Sequence, residues 1–343
     1  MNRERKLPFM AAALIASIAL SAWSSPPECK KPRATLLAAG LQGSIGMTVG
    51  PDRALYVAEG VAGRISRIDP STGEMTTFAS GLPKRLTGFP VGGAIDVAFI
   101  GNTAYVLVTL VDPHVGGNSV DGIYRVDSPD TFTVVADIGA WSAAHLPKTP
   151  FDTPSRLQFA METYPGGFLV ADSNHNRVLL VTLDHCGNFD PSNTSNIKEL
   201  IAFPNIVPTG IALSGHTIYV SEAGPDPHLP QDGKVVAFDS NTGDLTTVSS
   251  GVPFLLDVEF GRGRDLYALS NGVFTCCTPT DSALPNTGSL VRVNDDGGFS
   301  VVADHLDRPT SLQFIGNTAY FVSLAGEVWK IDHISRRRDD DSY

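Results

Sequence analysis

Five carboxylates and one arginine recur at two positions of a repeated pattern, and together they could do chemistry. They are Glu59, Asp96, Arg156, Asp172, Glu222 and Asp257. Converging carboxylates can hold a hard cation such as Ca²⁺ through their oxygens, or they can act as general acid and base. The competing interpretation is structural, because acidic side chains at strand ends often accept hydrogen bonds from turn amides. The residue types leave both interpretations open.

The two positions are the start of the first strand and the end of the second strand of each repeat. The first column holds Gly46, Asp96, Arg156, Gly210, Asp257 and Ser311. The second column holds Glu59, Val108, Asp172, Glu222, Ser270 and Ser323. Arg156 follows Asp96 in the next copy, so the two are expected to pair. Asp257 has no adjacent cation, and this makes it the expected centre of a ligand-binding site.

A repeat of short strands must position these side chains. Its clearest copy is Pro208–Val252, which contains four apolar runs separated by turn residues. A second copy aligns Ser71-Thr-Gly73 with Asn241-Thr-Gly243. First-strand positions recur at intervals of about 53 residues. The sequence therefore predicts six four-stranded antiparallel sheets.

The sixth copy stops after three strands, and its missing strand lies near the other end of the chain. Ala34–Leu41 resembles Met75–Leu82, the fourth strand of the first copy. Exchange of this strand closes a ring and leaves no unpaired blade at the seam. The predicted fold is an all-β, six-bladed β-propeller over residues 34–334, whose last blade is closed by the N-terminal strand.

Three long connections between second and third strands are expected at the rim that carries both columns. They span residues 110–121, 223–232 and 271–287, and their polar residues are Asp112, His114, Asp226, His228, Asp232 and Asp281. Such loops are either solvated or part of a site built on a rigid scaffold. Both interpretations stay open from the sequence alone.

The segments that flank the propeller predict export. Residues 1–24 have a basic start and an apolar run typical of a signal peptide, a linker follows at 25–33, and a charged tail occupies 335–343. Loss of the leader, with Arg3, Arg5, Lys6 and Glu4, takes the formal net charge from −11 to −13. An acidic protein of this kind does not favour nucleic acid or anionic lipid. We expect a secreted or periplasmic monomer.

Two short patterns resemble known propeller families. Asp172–Val178, which follows Phe168–Ala171, is similar to an NHL-repeat turn. The pairing of Ala79–Leu82 with Thr209–Ile211 resembles the ScyD/ScyE family of exported bacterial propeller proteins over residues 36–334. That resemblance implies the architecture and carries no catalytic motif. A more distant likeness links the chain to calcium-dependent lactonases and strictosidine-synthase-like proteins.

The remaining motifs point away from several enzyme classes. The sequence lacks G-x-S-x-G, H-E-x-x-H and cysteine or histidine pairs at zinc spacing. The D-x-N-x-N run that starts at Asp172 has Arg177 where a calcium loop needs glycine. The favoured interpretation is a non-catalytic propeller without a cofactor, which binds a small molecule or a protein at the long-loop rim. The alternative is a Ca²⁺-dependent hydrolase or lactonase that uses the same carboxylates.

Overall fold

The computed structural model describes residues 32–151, 155–183, 196–225, 227–275 and 282–334. The predicted signal peptide, most of the linker and the charged tail lie outside the described residues, as do the four cysteines, Asp226 and Asp281. No helix in the described part of the chain is long and apolar enough to cross a membrane.

Six four-stranded antiparallel sheets form the blades, and in five of them the order of the strands follows the chain. Blade 1 contains β2 (Ser44–Val49), β3 (Leu55–Glu59), β4 (Arg64–Ile68) and β5 (Met75–Ser80). Blade 2 contains β6 (Gly93–Ile100), β7 (Thr103–Thr109), β8 (Gly122–Ser128) and β9 (Thr131–Asp137). A helix, α1 (Ile138–Ala144), follows it. Blade 3 contains β10 (Gln158–Tyr164), β11 (Gly167–Asp172), β12 (Arg177–Thr182) and β13 (Ile197–Ala202).

The second half of the chain repeats this plan. Blade 4 contains β14 (Pro208–Ser214), β15 (Thr217–Glu222), β16 (Gly233–Asp239) and β17 (Leu245–Val252). Blade 5 contains β18 (Leu255–Phe260), β19 (Leu266–Ser270), β22 (Gly288–Val293) and β23 (Phe299–Leu306), with a small hairpin of β20 (Phe274–Thr275) and β21 (Ser282–Ala283) inserted. Blade 6 contains β24 (Pro309–Ile315), β25 (Thr318–Ser323) and β26 (Glu327–Asp332). Short 3₁₀ turns occupy Pro113–Val115 and Arg262–Arg264.

The ring closes as the sequence predicts. β1 (Thr35–Ala39) pairs antiparallel with β26 and becomes the outer strand of blade 6. The first strands of successive blades contact one another around the ring, and β24 contacts β2 across the seam. These six first strands are called the inner strands below. The prediction of a six-bladed propeller closed by the N-terminal strand is confirmed.

Apolar side chains pack between successive blades. Between blades 1 and 2, for example, the ring of Tyr56 contacts Phe78 edge-on at 5.0 Å and Phe99 at 4.8 Å. Each blade is apolar on both faces, so it is covered only when its two neighbours are present. The core is therefore a set of six interfaces arranged around the ring.

The hydrogen-bond register corrects the predicted alignment of blade 3. Asp96 lies opposite Leu107 directly after a bulge in its inner strand, and Ala160 lies opposite Ala171 at the same place in blade 3. Arg156 precedes β10 and is not equivalent to Asp96. The prediction failed because Pro154 resembles the prolines that start two other inner strands, whereas Gln158 occupies their place in the register.

Candidate functional site

The three carboxylates at second-strand ends form ion pairs within their own blades. Each faces a basic residue at the start of the neighbouring third strand. The pairs are Glu59 with Arg64, Asp172 with Arg177, and Glu222 with Lys234, at N–O distances of 2.7, 2.7 and 3.2 Å. All three carboxylates are buried, and none of them lines the cavity described below. These pairs join adjacent strands, and this favours the structural interpretation of the second column.

The surroundings of two of these carboxylates differ. Burial raises the pKa of Asp172, but the hydrogen bond from His175 and the charge of Arg177 outweigh it and hold that pKa below its usual value. Burial raises the pKa of Glu222 to about 7, because the single ammonium of Lys234 compensates it only in part. Asp172 therefore stays ionised near neutral pH, and Glu222 titrates there.

The predicted pair of Arg156 with Asp96 does not form. Nη1 of Arg156 contacts Oδ2 of Asp112 at 3.2 Å. Asp112 belongs to the long loop of blade 2, so this contact joins that loop to the segment before blade 3. The register explains the difference, since Arg156 precedes the inner strand that neighbours Asp96.

Asp96 and Asp257 tie the inner strands of adjacent blades together. Asp96 accepts hydrogen bonds from the backbone N–H groups of Val97 and Met161, both at 2.8 Å. Asp257 accepts from the N–H groups of Val258 and Leu312, at 2.8 and 2.7 Å. The carboxylates thus bridge blade 2 to blade 3 and blade 5 to blade 6.

The glycines of the first column make room for these bridges. A Cβ atom on Gly46 would collide with Oδ1 of Asp96, and one on Gly210 would collide with Oδ1 of Asp257. Alternation of glycine and aspartate in this column is therefore a packing requirement between blades. Asp257 is not the isolated carboxylate that the sequence suggests.

Asp96 and Asp257 line a small cavity between the inner strands, together with two glutamates that the sequence analysis did not single out. Glu162 and Glu259 line the same small cavity of about 30 Å³. Burial, reinforced by repulsion from Glu162, raises the pKa of Asp257 to about 7. Burial also raises the pKa values of Asp96 and Glu259 well above the usual range, with repulsion from neighbouring carboxylates as a smaller cause. Burial and mutual repulsion thus favour the protonated forms of these carboxyl groups.

The carboxylates do not fit a Ca²⁺ centre. Three of them are engaged by basic side chains within blades, and two accept backbone N–H groups between blades. The described residues contain no group of three or more His, Cys, Asp or Glu side chains arranged to hold a metal ion. A calcium site needs six to eight oxygen ligands, usually with several carboxylates. The described residues do not supply such a set of donors.

A larger cavity, of about 660 Å³, opens at the rim where the inner strands start. Its volume is within the range of small-molecule sites. Its apolar lining includes Phe89, Phe159, Phe254, Leu157, Leu256 and Leu324. Its polar lining includes Arg85, Arg308, His228, Asn174, Asn205 and Asn271. No carboxylate from the described part of the chain lines it. We call it the rim cavity.

Backbone strain marks the rim cavity. One residue at the start of the inner strand has positive φ in five blades. It is the first residue of β6 in blade 2, Gly93, and the residue directly before the strand in the other four, Gly43, Val207, Phe254 and Arg308. Glycine adopts this conformation without steric cost, whereas other residues lose about 1–2 kcal/mol. Blades 4, 5 and 6 nevertheless carry side chains at this position, and all three line the rim cavity. Because glycine suffices in blades 1 and 2, these side chains are not there for the backbone.

His228 is the one histidine among the described residues that lines the rim cavity. Its Nδ1–H donates to the carbonyl oxygen of Gly224 at 2.7 Å. In the neutral ring this places the lone pair on Nε2. The ring lies against Phe254 and Phe274, with centroids 4.7 and 4.8 Å away. His228 also has positive φ, at 57°. The imidazole is thus held in one tautomer and one orientation.

Two asparagine amides are also oriented by the backbone. Nδ2 of Asn271 donates to the carbonyl oxygen of Pro309 at 3.0 Å, and Nδ2 of Asn174 donates to that of Ser155 at 2.9 Å. The bond of Asn271 reaches the first residue of β24, and the bond of Asn174 reaches the segment before β10. Both side chains line the rim cavity and present polar groups at fixed positions on its wall.

The sequence analysis missed one wall of this cavity. Residues 81–92 connect blade 1 to blade 2, and they contribute Arg85 and Phe89 to the lining. The signal was the length of this connection, since only residues 253–254 join blade 4 to blade 5. Of the polar loop residues selected from the sequence, His228 is the one that lines the cavity in the described part of the chain.

Comparisons with known proteins establish the fold. No protein-family model and no curated protein matches the chain. A gluconolactonase from Xanthomonas campestris is 14% identical over 90% of this chain and 96% of its own, with a TM-score of 0.57. The PQQ-bound aldose sugar dehydrogenase from Streptomyces coelicolor is 12% identical over 90% and 99%, with a TM-score of 0.54. Virginiamycin B lyase from Staphylococcus aureus is 14% identical over 88% and 99%, with a TM-score of 0.50.

These comparisons correct the functional prediction. The favoured interpretation was a non-catalytic binding propeller, but the similar propellers are a lactonase, a dehydrogenase and a lyase. They favour the alternative, an enzyme of the six-bladed class, over that interpretation. The ScyD/ScyE resemblance is not confirmed. The comparisons support a six-bladed propeller with structural neighbours of the gluconolactonase and virginiamycin B lyase kind.

Proposed function

We propose that the protein is a hydrolase that opens a lactone or cleaves an ester of a small organic molecule in the rim cavity. His228 acts as the general base. The observation that carries the proposal is the state of this side chain, which lines the cavity, donates Nδ1–H to Gly224 and packs against the rings of Phe254 and Phe274. A base needs this kind of fixed orientation toward the proton that it removes.

In the proposed reaction Nε2 of His228 takes a proton from water while the water oxygen attacks the carbonyl carbon. The carbonyl oxygen becomes an oxyanion, and Arg308, which also lines the rim cavity, supplies positive charge. Nε and Nη2 of Arg308 donate to Asp307, so Nη1 is left to face the developing charge. The C–O bond to the leaving oxygen then breaks, and the imidazolium returns its proton to that oxygen. One water is consumed, and an acid and an alcohol form.

No step of this mechanism uses Ca²⁺. The rim cavity has no carboxylate from the described part of the chain, and the acidic side chains predicted as ligands are engaged elsewhere. The neighbouring guanidinium groups would also repel a divalent cation. Activity is therefore expected to survive a chelator.

The test uses His228→Gln with hydrolysis of a p-nitrophenyl ester and a panel of lactones as readouts. General-base catalysis contributes roughly 10²–10⁴-fold, so the variant is expected to lose at least about a hundredfold in kcat/KM. His216→Gln is the matched control, because His216 lies exposed in the turn between β14 and β15. Full activity of His228→Gln would contradict the assignment. Activity that disappears with EDTA and returns with Ca²⁺ would contradict the metal-free mechanism.

A further inference from the structure

We infer that the substrate carries an anionic group on an apolar body, and that Arg85 binds the anion on the wall opposite His228. The inference rests on the proposed use of the rim cavity as the active site, and it specifies the class of molecule that fits there. It makes Arg85 a specificity-determining residue that lies away from the reacting carbonyl.

Arg85 differs in its charge balance from the other arginine of the rim cavity. Nε of Arg308 pairs with Asp307 at 2.8 Å. Arg85 has no carboxylate within ion-pair distance in the described part of the chain, and its Nη1 donates to the carbonyl oxygen of Pro90 at 2.7 Å. A partly buried guanidinium with no carboxylate partner among the described residues favours an incoming anion, although the net charge of the protein is −11.

The backbone around Arg85 is fixed before any ligand arrives. The N–H of Arg85 donates to the carbonyl oxygen of Gly60 at 2.8 Å, and Lys84 forms a bridge with Gly93. A Cβ on Gly93 would lie 2.5 Å from the nitrogen of Arg85, so the connection packs closely against the start of β6. A site held in this way needs little ordering on binding.

The two ends of the cavity have different chemistry. Arg85 lies in the connection from blade 1 to blade 2, and Phe254 lies in the connection from blade 4 to blade 5. These connections are half a turn apart in a six-bladed ring. The wall near Phe254 is aromatic, since the rings of Phe254 and Phe274 are 4.9 Å apart and both contact His228. A molecule that spans the mouth therefore has its anion at one end and its apolar or planar part at the other.

Two fluorescent probes separate the anion from the apolar body. One is 1-anilinonaphthalene-8-sulfonate, and the other is N-phenyl-1-naphthylamine, which has the same aromatic frame without the sulfonate. Arg85→Gln is expected to weaken binding of the sulfonate probe about tenfold or more and to change the affinity for the neutral probe less than about twofold. Phe254→Ala, on the opposite wall, is expected to weaken both probes. The control is Arg262→Gln, an exposed arginine in a 3₁₀ turn of blade 5.

The outcomes distinguish this inference from the proposed function. If both probes bind the wild type and Arg85→Gln changes neither, or changes both equally, the anion assignment is overturned while the cavity stands. If neither probe binds, or Phe254→Ala affects neither, the rim cavity is not the ligand site, and both ideas fail. Circular dichroism of each variant verifies that it is folded, and Arg85→Lys is a second variant that keeps the charge and should recover part of the sulfonate affinity.

Discussion

Replacement of Arg177 by methionine should destabilise the propeller more than any other single change at a charged side chain of the described residues. The guanidinium is fully buried and joins blade 3 to the helix that precedes it. It contacts Asp172, Glu199, the carbonyl oxygen of His145, Ser142, the ring of His175 and the face of Trp141. Through these contacts it holds α1, β12 and the turn at residues 173–176 in place.

The size of the effect follows from what the change leaves behind. Asp172 would keep Gln158 and His175 as partners but lose its cation at 2.7 Å while still fully buried. Removing one member of a buried ion pair costs about 3–5 kcal/mol of unfolding free energy. At roughly 2–4 °C of melting temperature per kcal/mol for a large domain, the melting temperature should fall by roughly 6–20 °C. Differential scanning fluorimetry measures this directly.

A surface ion pair is the matched control. Arg67 contacts Asp52 at 2.7 Å, and both side chains are more than a third exposed. Arg67→Met should therefore cost at most about 1 kcal/mol. A second variant that combines Arg177→Met with Asp172→Asn also removes the unpaired buried carboxylate. Its melting temperature should therefore lie between those of Arg177→Met and the wild type. If Arg177→Met melts within about 2 °C of the wild type, the network does not hold this part of the blade, and the argument is wrong.

Three more changes test other parts of the structure. Asp257 has a pKa raised to about 7 in the folded protein, so the unfolded chain releases this proton at a lower pH. The free energy of unfolding should therefore fall as pH rises from about 4 to about 7. The urea midpoint of Asp257→Asn should fall less over the same pH range than that of the wild type. If the urea midpoint of the variant falls with pH as steeply as that of the wild type, Asp257 does not have this raised pKa. Arg308→Gly should relieve a positive φ and keep its melting temperature within about 3 °C while ester hydrolysis drops, and a large loss of stability would show that the side chain is structural. A chain that begins at Gln42 lacks β1 and should not yield soluble monomer in size-exclusion chromatography, so an unaltered monomer would refute the closure.

The fold could be predicted because its signals are local and repeat. At the turn after β16, Oδ1 of Asp239 accepts from the N–H groups of Asn241 and Thr242, and Gly243 adopts positive φ. The same turn recurs after β4 around Asp69. Turns of this kind specify strand ends from a few neighbouring residues. Repetition then supplies the number of blades, and the three-stranded sixth copy supplies the closure.

The site could not be predicted in the same way because its meaning depends on partners far apart in the chain. Glu59 looks like a rim ligand until its neighbour across the sheet is known to be Arg64. Asp257 looks isolated until the register brings the N–H of Leu312, which is 55 residues away in sequence, against its carboxylate. Acidic residues that recur at one position of a repeat can therefore form a ligand-binding site, or they can form ion pairs and hydrogen bonds that link neighbouring strands.

The residues before the inner strands show how the two cases can be separated. Where a blade needs positive φ at this position, glycine is the residue that stability alone would select, as at Gly43 and Gly93. Val207, Phe254 and Arg308 depart from it at a cost in backbone energy, and all three line the rim cavity. The acidic columns show no such backbone cost, and their carboxylates are held by basic side chains within a blade or by backbone N–H groups of the blade itself and its neighbour. In a repeated fold, functional residues are thus better sought where a blade has a residue that its backbone conformation disfavours than where a charged residue recurs.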